Sequence, residues 1–260
     1  MLSIALFLLG LAVGSFLNSV IYRLEKRESA LQGRSYCPSC KHTLSWHDLI
    51  PVLSFVFLQG KCRYCKAHIS WQYPLVELGT AAVFLLIFAS GEKSTIVDFS
   101  HYGYLFAIAS LLIVIFVYDL KHYLIPDKIL YPAIGLAFLW SVFEIWNFGN
   151  WDLFRISNFG FGILPALFFL AIFLVSRGQW MGFGDVKLAL FMGLFLGWPN
   201  IVVALFAAFL LGAAIGVALI FTKKKTLTSQ VPFGPFLIVG TFIGLFWGKI
   251  IVDWYLGLLV

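Results

Sequence analysis

Runs of about twenty apolar residues recur along this chain, and they constrain its fold more than any other feature. In hydrocarbon the backbone N–H and C=O groups must be satisfied within the segment itself, so such runs cross a membrane as helices. Residues 1–22 form the first run; after one long polar stretch, 23–71, others fall near 74–90, 102–118, 128–146, 158–176, 185–198, 200–221 and 233–255. The expected fold class is an all-α polytopic membrane protein with about eight transmembrane helices. Composition agrees: 61% of residues are apolar and 12% charged, against about 45–50% and 25% in soluble domains. A secreted domain, a disordered chain and a soluble enzyme are thereby excluded. The domain organisation reads as a first transmembrane helix (1–22), a loop domain (23–71) and a seven-helix membrane domain (72–260). No internal repeat or low-complexity tract stands out.

Charge sets the expected orientation. No basic residue precedes the first run and several follow at once, the reverse of a signal peptide's flanks, so a retained helix with its N-terminus outside is expected. The inner segments are then 23–71, 119–128, 177–187 and 222–232. They carry fifteen of the eighteen basic residues, including Lys223, Lys224 and Lys225, and leave only Lys93, Arg155 and Lys249 towards the outer side. This is the bias of cytoplasmic loops. The net charge of +6 is accounted for by it, and no nucleic-acid partner is expected.

All four cysteines lie in the polar loop, as Cys37-Pro-Ser-Cys40 and Cys62-Arg-Tyr-Cys65. Two C-x2-C pairs at this separation suit tetrahedral zinc, and in a reducing cytoplasm disulfides are disfavoured. Free or redox-active thiols are the alternative. Four sulfur ligands leave no open position for a catalytic water, so the expected role is structural, in a small zinc-ribbon-like domain whose folding the metal supports. His42, His47 and His68 nearby read as solvated.

Ionisable groups at membrane helices each need a reason, because an Asp at a helix centre costs about 2.5–3.5 kcal/mol on insertion. Asp119 ends the third run, Pro126-Asp127 opens the fourth, and Asp185 lies in Gly182-Phe-Gly-Asp-Val-Lys187 at the mouth of the sixth. All three fall on the cytoplasmic side of the expected topology. An N-terminal cap explains Asp127 well, and Asp185 also fits a cap. Asp119 sits at a helix C-terminus, where the macrodipole disfavours an anion, so a functional role is expected. Glu77 suits a helix start or a lining group equally. Two carboxylates held together share one proton, and that pair runs aspartyl hydrolysis: the ionised member deprotonates water while the protonated one polarises the carbonyl. The glycines at 182 and 184 would let a substrate strand approach the backbone.

Taken together these motifs resemble the prepilin peptidases, or type IV leader peptidases, a family of bifunctional inner-membrane aspartyl enzymes. The matching stretches are Gly14-Ser-Phe-Leu-Asn-Ser-Val-Ile-Tyr-Arg-Leu24, the paired C-x2-C motifs, Trp46-His-Asp-Leu-Ile-Pro51 and Gly60-Lys-Cys-Arg-Tyr-Cys65. They continue through Ile69 to Glu77, Asp119 to Asp127, Gly182 to Lys187, and Pro232-Phe-Gly-Pro235. The resemblance implies cleavage of the short basic leader of type IV prepilins or pseudopilins at the cytoplasmic face of the bacterial inner membrane. It implies Asp119 and Asp185 as the catalytic pair, one structural zinc on Cys37, Cys40, Cys62 and Cys65, and methylation of the new N-terminus with S-adenosylmethionine. It assigns no S-adenosylmethionine site, and no Rossmann-type glycine signature is present. A basic leader would approach a loop with eight basic and three acidic residues between 23 and 71; anionic lipid headgroups, or Glu25, Glu28 and Asp48, would offset that charge. The competing reading is a membrane scaffold or ion-coupled transporter with a zinc docking loop. A transporter's coupling carboxylates lie near the midplane, which favours the hydrolase.

Overall fold

The computed structural model describes residues 1–29, 33–91, 96–147, 153–222 and 231–258. Lys93, Lys223, Lys224 and Lys225 lie outside the described residues, as does the side chain of Arg155. The helices are α1 (Leu2–Lys26), α2 (Leu53–Phe57), α3 (Gln72–Ser90), α4 (Ile96–His122), α5 (Asp127–Asn147), α6 (Leu153–Ser176), α7 (Phe183–Leu196), α8 (Asn200–Phe221) and α9 (Gly234–Gly257), with a 3-10 turn at Trp46–Leu49. Among the described residues there is no strand, only isolated antiparallel bridges at Tyr36–Thr43 and Lys61–His68.

The all-helical membrane architecture expected from the sequence is therefore present. Among the described residues, five helices are long and apolar enough to cross a bilayer: Leu2–Lys26, Gln72–Ser90, Ser100–His122, Asn200–Phe221 and Gly234–Gly257. The 14 residues of α7 span about 21 Å, short of a hydrocarbon core of roughly 30 Å.

The chain forms two compact units, Met1–Val114 and Ile115–Val260. In the first, α1 and α3 pack antiparallel at small residues. A Cβ on Gly10 would lie 2.5 Å from the Ala81 Cα, and one on Gly14 would lie 2.6 Å from the Glu77 Cα. One turn further along, the Asn18 side chain donates to the Tyr73 carbonyl at 3.0 Å. The start of α4 adds Phe106, stacked on Phe84 with ring centroids 4.3 Å apart.

The second unit is built the same way. Gly240, Gly244 and Gly248 of α9 sit against Ala204, Ala208 and Asn200 of α8, and Gly162 of α6 meets Gly193 of α7 backbone to backbone. Gly212 faces Phe233 and Phe236 at van der Waals distance, whereas Gly216 has open space beside it. Of the small-residue pairs visible in the sequence, Gly240/Gly244/Gly248 and Gly10/Gly14 are packing devices and Gly216 is not. Replacing Gly240 with Ala should therefore destabilise the protein by about 1–3 kcal/mol through overpacking. Gly216→Ala should leave it unchanged or slightly stabilised, as read from thermal unfolding of the two variants in the same detergent.

Candidate active site

Four helix ends of the second unit meet around Ile125. α4 closes on Tyr123, whose N–H bonds to the Asp119 carbonyl at 2.9 Å and whose φ of 55° is left-handed, the usual geometry of a helix stop. The chain then runs through buried Ile125 into α5. The Ile125 side chain fills the space a side chain at Gly184 would need, 3.2 Å from that position, and lies 3.3 Å from the equivalent point at Gly234. The N-terminal turns of α7 and α9 thus pack on one residue between Asp119 and Asp127.

Asp119 is 4% exposed and its carboxylate accepts the backbone N–H of Gly234, the first residue of α9. A Cβ on Gly234 would collide with Asp119 Oδ2, so only glycine admits the carboxylate here. The helix-end objection to Asp119 is resolved by this contact. It lies at the C-terminus of its own helix but at the N-terminus of α9, where unpaired N–H groups and the macrodipole favour an anion.

Asp185 is the third residue of α7, after the N-cap Gly182, with its carboxylate near the Gly182 backbone. This is the N3 position from which a carboxylate can turn back on the start of its own helix, so part of its role is the local one that its sequence position suggests. The starts of α7 and α9 nevertheless both pack on Ile125, which brings the two expected carboxylates to the same corner of the fold.

Asp127 opens α5 from within the first turn and pairs with Lys187 of α7. The Lys187 ammonium also lies over the rings of Tyr131, 5.1 Å away, and Phe183, 5.2 Å away. Asp127 therefore links α5 to α7 in addition to starting a helix. Gly184, expected to admit a substrate strand, is occupied by Ile125 instead; Gly182 is exposed. Gly234 carries no mark in the sequence beyond its place in Pro232-Phe-Gly-Pro235, because its function depends on a residue 115 positions earlier.

The cysteine loop belongs to the first unit. The sulfurs of Cys37, Cys40, Cys62 and Cys65 all lie within 4.8 Å of one another, and those of Cys37 and Cys65 are 3.8 Å apart. Tetrahedral zinc with Zn–S bonds of about 2.3 Å requires sulfurs roughly 3.8 Å apart, so the cluster fits a metal of that kind. Burial opposes ionisation of the Cys37 thiol, yet hydrogen bonds from the backbone at Cys40 and Ser39, with the neighbouring thiols, bring its pKa down to about 7.

The two halves are built alike. Cys37 N–H bonds to His42 O and Lys41 N–H to Cys37 O, both at 2.9 Å; Cys62 N–H bonds to Ala67 O at 2.8 Å and Lys66 N–H to Cys62 O at 3.0 Å. Lys41 and Lys66 share a φ of 60°. The sequence carries the matching repeat, Cys37-x2-Cys40-Lys41-x2-Leu44-Ser45-Trp46 and Cys62-x2-Cys65-Lys66-x2-Ile69-Ser70-Trp71. This corrects the expectation of no internal repeat. Aligning the cysteines alone would have exposed it.

Asp48 stitches the halves together. Its carboxylate accepts the Arg63 Nε–H at 2.7 Å, the Tyr64 hydroxyl at 3.1 Å and the Ser45 N–H at 3.2 Å. Glu28 accepts the Tyr36 hydroxyl on both oxygens, at 2.9 and 3.0 Å. Two of the three acidic groups considered for a basic leader are thus engaged within the loop.

A helical bundle with two carboxylates gathered where helix ends meet, in a chain whose other unit carries four clustered thiols, defines a multi-pass membrane protein with the parts of an acid–base hydrolase. The chain belongs to the type IV leader peptidase family. The profile of that family matches residues 106–217, and the profile of the bacterial peptidase A24 N-terminal domain matches residues 8–90. A relative from Bacillus subtilis (strain 168) is 34% identical over 259 residues, covering 98% of each chain. One from Legionella pneumophila is 32% identical over 96% of this chain and 93% of its own. Another, from Aeromonas salmonicida (strain A449), is 31% identical over 96% and 92%. Each is called a prepilin leader peptidase/N-methyltransferase. No solved structure matches the chain. These bacterial relatives and the apolar helices make this a multi-pass bacterial membrane protein.

Two outcomes follow from the geometry. Gly234→Ala should displace the Asp119 carboxylate from the start of α9 and lower any activity that depends on it by about 10²-fold, with helix content unchanged by circular dichroism. In the loop, burial would raise the pKa of Asp48, but Arg63, the Ser45 amide and Tyr64 outweigh it and hold the pKa below the ordinary carboxylate value. That stabilisation is present at neutral pH and is lost as the pH falls through the folded-state value. Amide hydrogen exchange across 45–64 should accordingly separate wild type from Asp48→Asn by about 1 kcal/mol at pH 7, with the gap closing as the pH falls below the ordinary carboxylate range.

Proposed function

We propose that this protein cleaves the basic leader from type IV prepilins or pseudopilins, with Asp119 and Asp185 as the catalytic pair. The observation that carries the proposal is the convergence of these two carboxylates at the starts of α7 and α9, in a chain of this family. Ionised, one member takes a proton from water as its oxygen attacks the scissile carbonyl. The other, protonated, donates to the carbonyl oxygen; as the C–N bond breaks, the first gives the proton taken from water to the departing amine and the second recovers its own from the tetrahedral intermediate. The pair titrates as a unit, and either member serves as base. The Gly234 amide holds the Asp119 carboxylate in place before substrate arrives. The placement of both groups at helix ends also fits a substrate whose own helix lies in the bilayer and whose leader emerges at its surface.

The excess of basic residues in the inner segments supports a loop and carboxylates on the cytoplasmic side of the inner membrane, with about eight helices crossing it. On this reading 1–22 is the first span, 23–71 the cytoplasmic four-cysteine domain and 72–260 the membrane domain. Cys37, Cys40, Cys62 and Cys65 hold one zinc ion, which ties the two halves of the loop together. The names of the relatives support a second activity, transfer of a methyl group from S-adenosylmethionine to the new N-terminal amine. Membrane lipid surrounds the protein, and nucleic acid has no part in its function.

Cleavage of a pilin precursor, followed by the mass of the released product, tests the assignment. Asp119→Asn and Asp185→Asn should each lower the rate by about 10²–10⁴-fold while retaining one bound zinc per chain as evidence of folding. Asp127→Asn should keep most of the activity. A dead Asp127→Asn beside an active Asp119→Asn would replace the proposed pair with another.

A further inference from the structure

Part of the loop between α1 and α3 is bound back onto the two helices. The contacts of Gly10 with Ala81, Gly14 with Glu77 and Asn18 with Tyr73 give α1 and α3 a common depth scale, and both helices are long and apolar enough to span. The apolar run of α1 ends at Tyr22-Arg23, eight residues beyond Gly14. At 1.5 Å per residue, Gly14 and Glu77 then lie about 12 Å below that end, in a hydrocarbon core whose half-thickness is about 15 Å.

At this depth the Glu77 carboxylate accepts the backbone N–H of Val52 at 2.7 Å. A cavity of about 320 Å³ that runs along α1 from Ala12 to Arg23 is lined on the loop side by Leu49 and Pro51 as well as Gly33 and Ser35. We propose that residues 49–58 form a re-entrant segment, with the short helix α2 inside the bilayer and Leu53, Val56 and Phe57 against lipid acyl chains.

Three observations support that occupant. The segment Leu49-Ile-Pro-Val-Leu-Ser-Phe-Val-Phe-Leu58 carries no charge, in a loop otherwise rich in Lys and Arg. Leu53, Val56 and Phe57 are 54%, 62% and 81% exposed, and on α3 Leu75 and Leu78, near Glu77, are exposed as well, so the apolar surface continues that of a spanning helix. Trp46 and Trp71, equivalent positions of the repeat, are 72% and 70% exposed and flank the segment as interfacial anchors do.

The backbone meets the demands of hydrocarbon. Ser54 N–H bonds to Ile50 O at 3.1 Å, and Val56 N–H to Val52 O and Leu58 N–H to Ser54 O at 3.0 Å. Val52 N–H, which the helix cannot satisfy, is taken by Glu77. Non-helical backbone at membrane depth persists only where it is satisfied in this way. The same bond explains an ionisable group in a spanning helix, a position that is otherwise costly.

The proposal needs α1 and α3 to span the membrane and is independent of the peptidase assignment. It is tested by placing an environment-sensitive fluorescent side chain at position 57, and separately at position 41, in the full chain reconstituted into phosphatidylcholine–phosphatidylglycerol vesicles. Acyl-brominated lipid should quench position 57 severalfold more than position 41, and aqueous iodide should show the reverse order. Equal iodide quenching at the two positions would overturn the proposal. So would quenching of position 57 by neither agent, which would mean that protein covers it. Glu77→Gln, which still accepts from Val52, should preserve the pattern, whereas Glu77→Leu should open position 57 to iodide. If Glu77→Leu yields no folded protein, the wild-type comparison decides alone.

Discussion

A buried carboxylate survives in a helical bundle when backbone N–H groups point at it, and the candidate site rests on that condition. Asp119 ends α4 but meets the first amide of α9, so the α4–α5 turn must lie against the starts of α7 and α9. Ile125 fills the wedge between them, and glycine at 184 and 234 lets it and the carboxylate come close. The Asp127–Lys187 pair then fixes the same corner from the outside. Positions that read separately along the chain are thus one packed arrangement around one charge.

Much of this was legible in the sequence. The apolar runs gave the helices because a membrane leaves the backbone few alternatives, and the spacing of the cysteines anticipated four sulfurs that the structure gathers within 4.8 Å. Asp119 was legible as an anomaly, since an anion at a helix C-terminus needs a reason, but the reason lay in α9. Glu77 read equally as a helix start or a lining group because its partner is the amide of Val52, and backbone amides leave no mark in sequence. Gly184 showed the limit of reading a glycine as freedom: its missing side chain makes room for Ile125 and not for a substrate. The repeated C-x2-C-K-x2-[Leu/Ile]-Ser-Trp pattern was there to be seen, but hydropathy dominates this chain and hides a short polar repeat.

Glycines set vertical position as well as closeness. Gly10 and Gly14 let α1 and α3 approach until their backbones touch, and that fixed approach determines which residues of the two helices share a level. Glu77 is held at the level of Gly14, and the loop segment bound to it is held there too. A membrane protein can in this way place an irregular segment at a chosen depth with one small-residue contact and one side-chain acceptor.

The duplicated knuckle has a consequence for the order of synthesis. Neither half holds four sulfurs, so the cluster closes only after Cys65 has left the ribosome, 28 residues behind Cys37. At about 5–20 residues per second that delay lasts on the order of a few seconds, with α1 already made. Glu77 follows 12 residues later, and only then can Val52 be fastened. The sulfur end of the loop is therefore able to mature first, and its apolar end must wait for the second membrane helix to arrive.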